Sequence, residues 1–386
     1  MKGSTSRQPK NKQVQENTLS IKICHLTTVH SRTDSRIVRK ECISLAKAGF
    51  ETILIVADNK GDESYKNIRI MGLKRYNNVL LRSLIYPWLF FIKAIKQKCK
   101  VYHFHDPELI FTGILLRIAG RKVIYDIHED YKTAFLHRNY LPGFLRKIIA
   151  GVWSFYEKFS ARLFICIIAE KYYKERFSNS LLVANYPVFE EIPDNEYSIS
   201  DNQMIYTGSI DEIRGAYIYA ELIKKMPDYK LNITGFCDET TREEVMELSN
   251  HASDRLHISN PGVYVPFEQI RQLYFEEDWL CGLAIFPYSK HYERKELTKF
   301  FEYMMHGIPV VCSDFKAWRD LIEGNQAGLV VDPRNINKAI ESIEWLRKNP
   351  EKRKIMGENG KKLVKEYYNW SKEESKLIDL YKNLVD

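Results

Sequence analysis

The chain has 386 residues, 45% hydrophobic and 28% charged, the make-up of a globular protein too long for one core and suited to two domains. Seven cysteines stand singly, with no Cys-x-x-Cys and no close pair; this argues against a disulfide framework or a cysteine zinc site and for a reducing compartment. The net charge of +8 divides unevenly: residues 1–189 hold 32 Lys+Arg against 15 Asp+Glu (+17), and residues 190–386 hold 26 against 35 (−9). A basic half beside an acidic half predicts an anionic partner for the first half.

Residues 1–19 are polar and basic, lack the apolar core of a secretory signal, and read as a disordered tail. Short apolar runs then alternate with longer amphipathic ones, the pattern of a parallel α/β sheet. In the first half the predicted strands are Ile21–Leu26, Thr52–Ala57, Val101–Phe104, Lys122–Tyr125, Leu163–Ala169 and Leu182–Ala184. The first helix is predicted to follow Asp34, a good N-cap, to carry Ile37, Val38, Cys42 and Leu45, and to end at Gly49. Two segments, Leu80–Lys100 and Tyr140–Arg162, mix aromatic and aliphatic residues with basic flanks. Their uncharged cores are too short to span a bilayer. Two readings stay open: helices lying in a membrane interface, or ordinary helices covering the first sheet.

A polar, proline-bearing stretch, Asn185–Asp201, reads as a linker. It divides a first domain at 20–185 from a second at 202–365, with residues 366–386 forming a C-terminal helix. In the second half the predicted strands are Met204–Thr207, Lys230–Thr234, Leu256–Ser259, Leu280–Phe286, Pro309–Cys312 and Gly328–Val331. The fold class is therefore α/β, two tandem doubly wound Rossmann-like domains, with ligands in the cleft beyond the strand ends. In MIYTGSIDEIRG (204–215), a strand end, the glycine turn at Gly208 and the cation Arg214 before a helix suit a diphosphate. In KFFEYMMHGIPVV (299–311), a helix carrying Lys299 and Glu302 breaks at Gly307; a carboxylate there suits a ribose diol and an ammonium suits phosphate.

The ordered set of strand-Gly-x(6)-Gly, ITGFCDE, LYFEEDWLCGLAIFPYS, KFFEYMMHGIPVVCSDF and AGLVVDP resembles the donor domain of the group 1 (family 4) glycosyltransferases of the GT-B fold. In the first half HLTTVHSRTDSRIVRKECISLAKAGF, VYHFHDPEL and VIYDIHEDY look like one bacterial polysaccharide-synthesis branch of it. The resemblance implies that Gly208, Ser209, Arg214, Gly235, Glu296, Lys299 and Glu302 bind the donor. It implies that His128 faces the transferred sugar, so that His128, Glu302 and Arg214 form the catalytic set. On the acceptor side it implies His30, Asp34, Arg36 and His105, and it implies that the C-terminal helix at 366–386 packs back on the first domain. The chain departs from the family at two places. Arg294 stands eight residues before Glu302 where many members carry a second Glu, with Glu293 and Glu296 as neighbours. Ser209 follows Gly208 where members often carry an arginine.

The implied reaction is retaining transfer of a sugar from a nucleoside diphosphate to a hydroxyl of a lipid-linked glycan, in surface polysaccharide synthesis. No Asp-x-Asp and no His/Cys/Asp cluster with ligand spacing occurs, so neither a metal nor a cofactor is expected. The expected partners are the nucleotide sugar, a glycan or polyprenyl-diphosphate-linked acceptor and an anionic membrane surface, with no nucleic acid. The expected location is cytoplasmic, peripheral on the inner face of the cell membrane. A sugar-nucleotide epimerase, a phosphorylase and a non-catalytic partner of an assembly complex are the alternatives.

Overall fold

The computed structural model describes residues 21–128, 143–191, 201–276 and 278–386. The tail at 1–19 and most of the linker therefore lie outside the described residues.

The first domain comprises β1 (Lys22–Thr27), a π-helical turn (Ile37–Cys42) running into α1 (Ile43–Lys47), β2 (Glu51–Ala57), β3 (Glu63–Tyr65), β4 (Ile68–Leu73), α2 (Val79–Ile95), β5 (Val101–Phe104), α3 (Ile110–Ile118), β6 (Lys122–Ile127), α4 (Gly143–Ala161), β7 (Ile165–Ile168) and β8 (Ser180–Leu182). Its eight strands run in the order β3-β4-β2-β1-β5-β6-β7-β8. All neighbours are parallel except the β3–β4 edge pair. Strands β3 and β4 are additional to those read from the sequence. Asp34 starts the first helix by accepting the N–H groups of Arg36 at 2.9 Å and Ile37 at 2.8 Å. The chain then winds as a π turn rather than the regular helix expected, burying Ile37 and Val38 together with the charged Lys40 and Glu41. Such turns recur at functional sites.

The second domain comprises β9 (Gln203–Thr207), α5 (Ala216–Lys225), β10 (Lys230–Thr234), α6 (Glu239–Leu248), β11 (Leu256–Ile258), α7 (Phe267–Glu276), β12 (Cys281–Ala284), α8 (Thr298–Met305), β13 (Val310–Ser313), α9 (Lys316–Ile322), β14 (Gly328–Val331), α10 (Ile336–Lys348) and α11 (Pro350–Glu366). Its sheet is wholly parallel, in the order β11-β10-β9-β12-β13-β14. Parallel strands covered on both faces must be apolar throughout, as runs such as Val310–Ser313 largely are. The final helix, α12 (Trp370–Val385), returns to the first sheet. There Trp370, Leu377 and Tyr381 join a buried cluster with Ile23, Val101, Ile124 and Ile167, and the Trp370 indole N–H donates to Ser44 Oγ at 2.9 Å.

All seven cysteines are free and buried. No helix among the described residues is long and apolar enough to cross a membrane. Two helices nevertheless turn apolar side chains outward. Helix α2 buries Tyr86, Phe90 and Ala94 but exposes Leu84 and Trp88. Helix α4 is inverted: Glu157 faces inward, where it accepts the Tyr125 hydroxyl at 2.8 Å and pairs with Arg176. Its Phe144, Ile148, Val152, Phe155 and Phe159 face out, Phe155 at 75% exposure.

Candidate active site

On the first-domain side the strand ends supply a polar wall. Parallel strands present alternate residues to one face, so β6 continues from buried Ile124 through Asp126 to His128. The Asp126 carboxylate receives the Arg36 guanidinium in a two-pronged contact, Nε at 3.1 Å and Nη2 at 3.0 Å. It also lies 2.6 Å from His128 Nε2. Burial alone would raise the Asp126 carboxyl; the charges of Arg36 and His128, with hydrogen bonds from His105 and His128, outweigh it and hold the group well below the usual carboxylate range. His128 is thus oriented by an ionised carboxylate behind it. His30 stands edge-on to His128, with ring centres 5.5 Å apart. It lies between Asp34, 3.3 Å from its Nδ1, and Asp106, 3.5 Å from its Nε2. Burial would likewise raise Asp34, and the His30 hydrogen bond and charge, with the Ile37 N–H, more than reverse it.

On the second-domain side, Gly208 ends β9 at φ +104° and Gly235 follows β10. A Cβ on Gly235 would come within 2.0 Å of the Gly208 carbonyl oxygen, so two bare backbones meet at the sheet's end, a close approach only glycine permits. Arg214 lies on a short 3-10 turn capped by Asp211, with which its guanidinium pairs. Gly215, at φ +90°, separates it from α5, so Arg214 precedes the helix rather than opening it. Lys299, in the first turn of α8, places Nζ 3.5 Å from the Tyr206 ring centre and from a Cβ position on Gly208. Burial and the Arg214 charge push the Lys299 ammonium well below its ordinary value, against the pull of Glu302 and Asp211. Glu302, one turn on, accepts the Tyr274 hydroxyl at 3.1 Å. Burial raises its carboxyl, and the Tyr274 bond with the Lys40 and Lys299 charges offsets part of the rise.

A cavity of about 210 Å³ joins the walls, lined by His30, Asp34, Arg36 and His128 on one side and Glu296, Thr298 and Phe301 on the other. The fold thus gathers Gly208, Gly235, Arg214, Lys299 and Glu302 at one strand-end cluster, and His30, Asp34, Arg36 and His128 opposite. His105 lies behind that wall, buried, 3.3 Å from His128 Nε2. Ser209 offers its carbonyl to the Tyr206 hydroxyl at 2.7 Å. Glu296 is a bridge between domains, taking Lys171 Nζ at 2.6 Å and the Tyr186 hydroxyl at 3.0 Å. Arg294 is a second bridge: it pairs with Glu175 at 3.0 Å and lies 5.0 Å over Tyr172.

Several residues of the site were not singled out from the sequence. Lys40 is buried, donates to Asn185 Oδ1 at 2.6 Å and to the Tyr186 carbonyl at 2.8 Å, and acts on Glu302 from the other domain. Burial and the neighbouring Arg36 lower it to about 7. Its signal was a lysine inside the apolar stripe of the first helix. Tyr274 and Asp126 carried no comparable mark beyond their places in the motifs.

Two Rossmann-like, largely parallel-sheet domains, with a glycine-lined strand end on one and a histidine-bearing wall on the other, make the GT-B fold. Residues 200–363, within the second domain and its C-terminal helices, match the family model described as "Glycosyl transferases group 1". Among solved structures, sucrose-phosphate synthase from Thermosynechococcus elongatus is similar at 16% identity and TM-score 0.75, over 95% of this chain and 99% of that one. Anabaena HepE, in complex with UDP and glucose, is similar at 11% identity and TM-score 0.67, over 94% and 99%. A putative UDP-N-acetylglucosamine 2-epimerase from Listeria monocytogenes is similar at 12% identity and TM-score 0.59, over 94% and 96%. No curated protein sequence matches the chain.

Proposed function

We propose that the protein transfers a sugar, with retention and without a metal at the diphosphate, from a nucleoside diphosphate to a hydroxyl of a lipid-linked glycan at the cytoplasmic membrane surface. The observation that carries the reading is the convergence of Arg214, Lys299 and Glu302 around the bare backbones of Gly208 and Gly235. As the glycosidic bond breaks, charge collects on the leaving diphosphate. Two fixed cations and backbone N–H groups stabilise that charge most in the transition state. Glu302 takes the ribose diol. The HepE complex with UDP and glucose supports a nucleotide-sugar donor on this fold. His128, held by Asp126, faces the sugar, and the acceptor hydroxyl enters past His30 and Asp34.

The outward apolar face of α4, with exposed Lys147, Lys158 and Arg162 on the same helix and its end, supports docking on an anionic bilayer. Each base near such a surface adds about 1 kcal/mol, and the aromatic side chains add an apolar term that salt does not screen. The Listeria structure titled a putative UDP-N-acetylglucosamine 2-epimerase shares this fold. The test is incubation with a panel of sugar nucleotides, with and without polyprenyl-linked glycan. A glycoside of the donor's anomeric configuration, formed only with acceptor, supports the reading; a free epimerised sugar would replace it.

A further inference from the structure

Behind the histidine wall lies a second polar cluster that the transfer chemistry does not use. On the face covered by α12, His25 of β1 pairs in register with His103 of β5, and His105 follows two residues on. These three imidazoles and the Glu41 carboxylate are each 0–2% exposed. No sequence spacing announces the group, because its members come from two strand ends and the π turn.

Tyr381 Oη, from α12, lies 2.8 Å from His103 Nδ1 and 3.1 Å from His25 Nε2, and a phenol can both donate and accept. His105 Nδ1 lies 3.4 Å from Asp126 Oδ2. On the inner side His25 Nδ1 and His105 Nε2 hydrogen-bond to one another at 3.0 Å, and Glu41 Oε2 is 4.0 Å from each. Among the described residues, His103 Nε2 and both Glu41 oxygens lack a hydrogen-bond partner, although Glu41 Oε1 faces the Arg36 guanidinium at 3.0 Å. Four inward ligand atoms lie within 4.8 Å of one another. Tetrahedral zinc, with ligands at about 2.0–2.1 Å, sets its ligand atoms about 3.3 Å apart.

We propose that His25, His103, His105 and Glu41 bind a zinc ion, with Tyr381 and Asp126 orienting the imidazoles through their outer N–H groups. That is how ligating histidines are held elsewhere, and imidazole with one carboxylate suits this class of metal. A cation at the centre gives His103 Nε2 and one Glu41 oxygen, both without a hydrogen-bond partner, a ligand bond, and replaces the proton that His25 Nδ1 and His105 Nε2 share. The ion fastens α12 to the first sheet through Tyr381 and fixes His105, which touches His128.

The test is metal content of untagged full-length protein, exposed to Zn²⁺ and dialysed, with Co²⁺ substitution as a spectroscopic probe. One ion per chain is expected, with an intense visible ligand-field spectrum for Co²⁺. His103→Ala and Glu41→Gln should remove most of the bound metal, and the control His251→Ala should retain it. Folded wild-type protein that takes up neither metal overturns the proposal, leaving a plain hydrogen-bonded chain; so does stoichiometric uptake untouched by His103→Ala and Glu41→Gln. The wild-type measurement decides even where a variant fails to fold.

Discussion

Glu302→Gln isolates one charge in the donor cluster. The amide keeps the side chain's volume and can still accept the Tyr274 hydroxyl, now 3.1 Å from Oε2, so the fold should hold. What disappears is the charge-assisted contact to the ribose, about 1.5–3 kcal/mol. At 1.36 kcal/mol per decade that is about a tenfold to hundredfold loss in kcat/KM. A second loss adds to it, since Glu302 is the leading charge that favours the Lys299 ammonium against burial. The assay is release of nucleoside diphosphate from the preferred sugar nucleotide, with the thermal midpoint as the fold control. Wild-type kcat/KM in a folded Glu302→Gln protein would refute the placement of the ribose on α8.

Three further outcomes are expected. Burial pushes Lys299 well below its ordinary value in the free protein, and a bound diphosphate restores it; proton uptake on binding should therefore make nucleoside diphosphate affinity fall as pH rises. Calorimetry in buffers of different ionisation enthalpy reads that uptake, and its persistence in Lys299→Met would contradict the assignment. Burial, aided by the Glu296 charge, lifts Glu170 from 4.5 to about 7. A folded value above the unfolded one gives stability that is full below pH 4.5 and lost as pH rises through 7, at most about 3 kcal/mol. Glu170→Gln should flatten the midpoint-against-pH curve across that window, and a curve parallel to wild type would count against it. Val152→Asp with Phe155→Asp, both at exposed positions, should leave the midpoint unchanged and abolish co-sedimentation with anionic vesicles; undiminished binding would remove α4 from the membrane contact.

The strands most legible in the sequence are those buried on both faces. Lys230–Thr234 is bounded as its apolar run suggests, and Thr52–Ala57 gains one residue. The two strands at the β3 end of the first sheet were not legible: Glu63–Tyr65 is wholly exposed, and Ile68–Leu73 comes after a turn whose Lys66 and Asn67 take positive φ. A glycine turn and a helix start mark Arg214, Lys299 and Glu302 locally, which is why they could be named. Lys40 joins Glu302 only through docking of the two domains, a proximity no local pattern encodes. Arg294, which stands where many family members carry a second Glu, bridges to Glu175; a motif gives its position but not its partner. The outward face of α4 was undecidable from periodicity, because an apolar stripe has the same spacing whether it meets a sheet or a bilayer. The inward Glu157 settles its orientation.

The central claim is a nucleoside diphosphate held at Gly208, Arg214, Lys299 and Glu302 without a metal. The most direct measurement is calorimetric titration of the wild type and Arg214→Met with nucleoside diphosphates in excess EDTA. Saturable binding to the wild type, weakened about tenfold to a hundredfold by the loss of one charge-assisted contact, is the expected result. No binding until Mg²⁺ or Mn²⁺ is supplied, or equal binding by Arg214→Met, would contradict it.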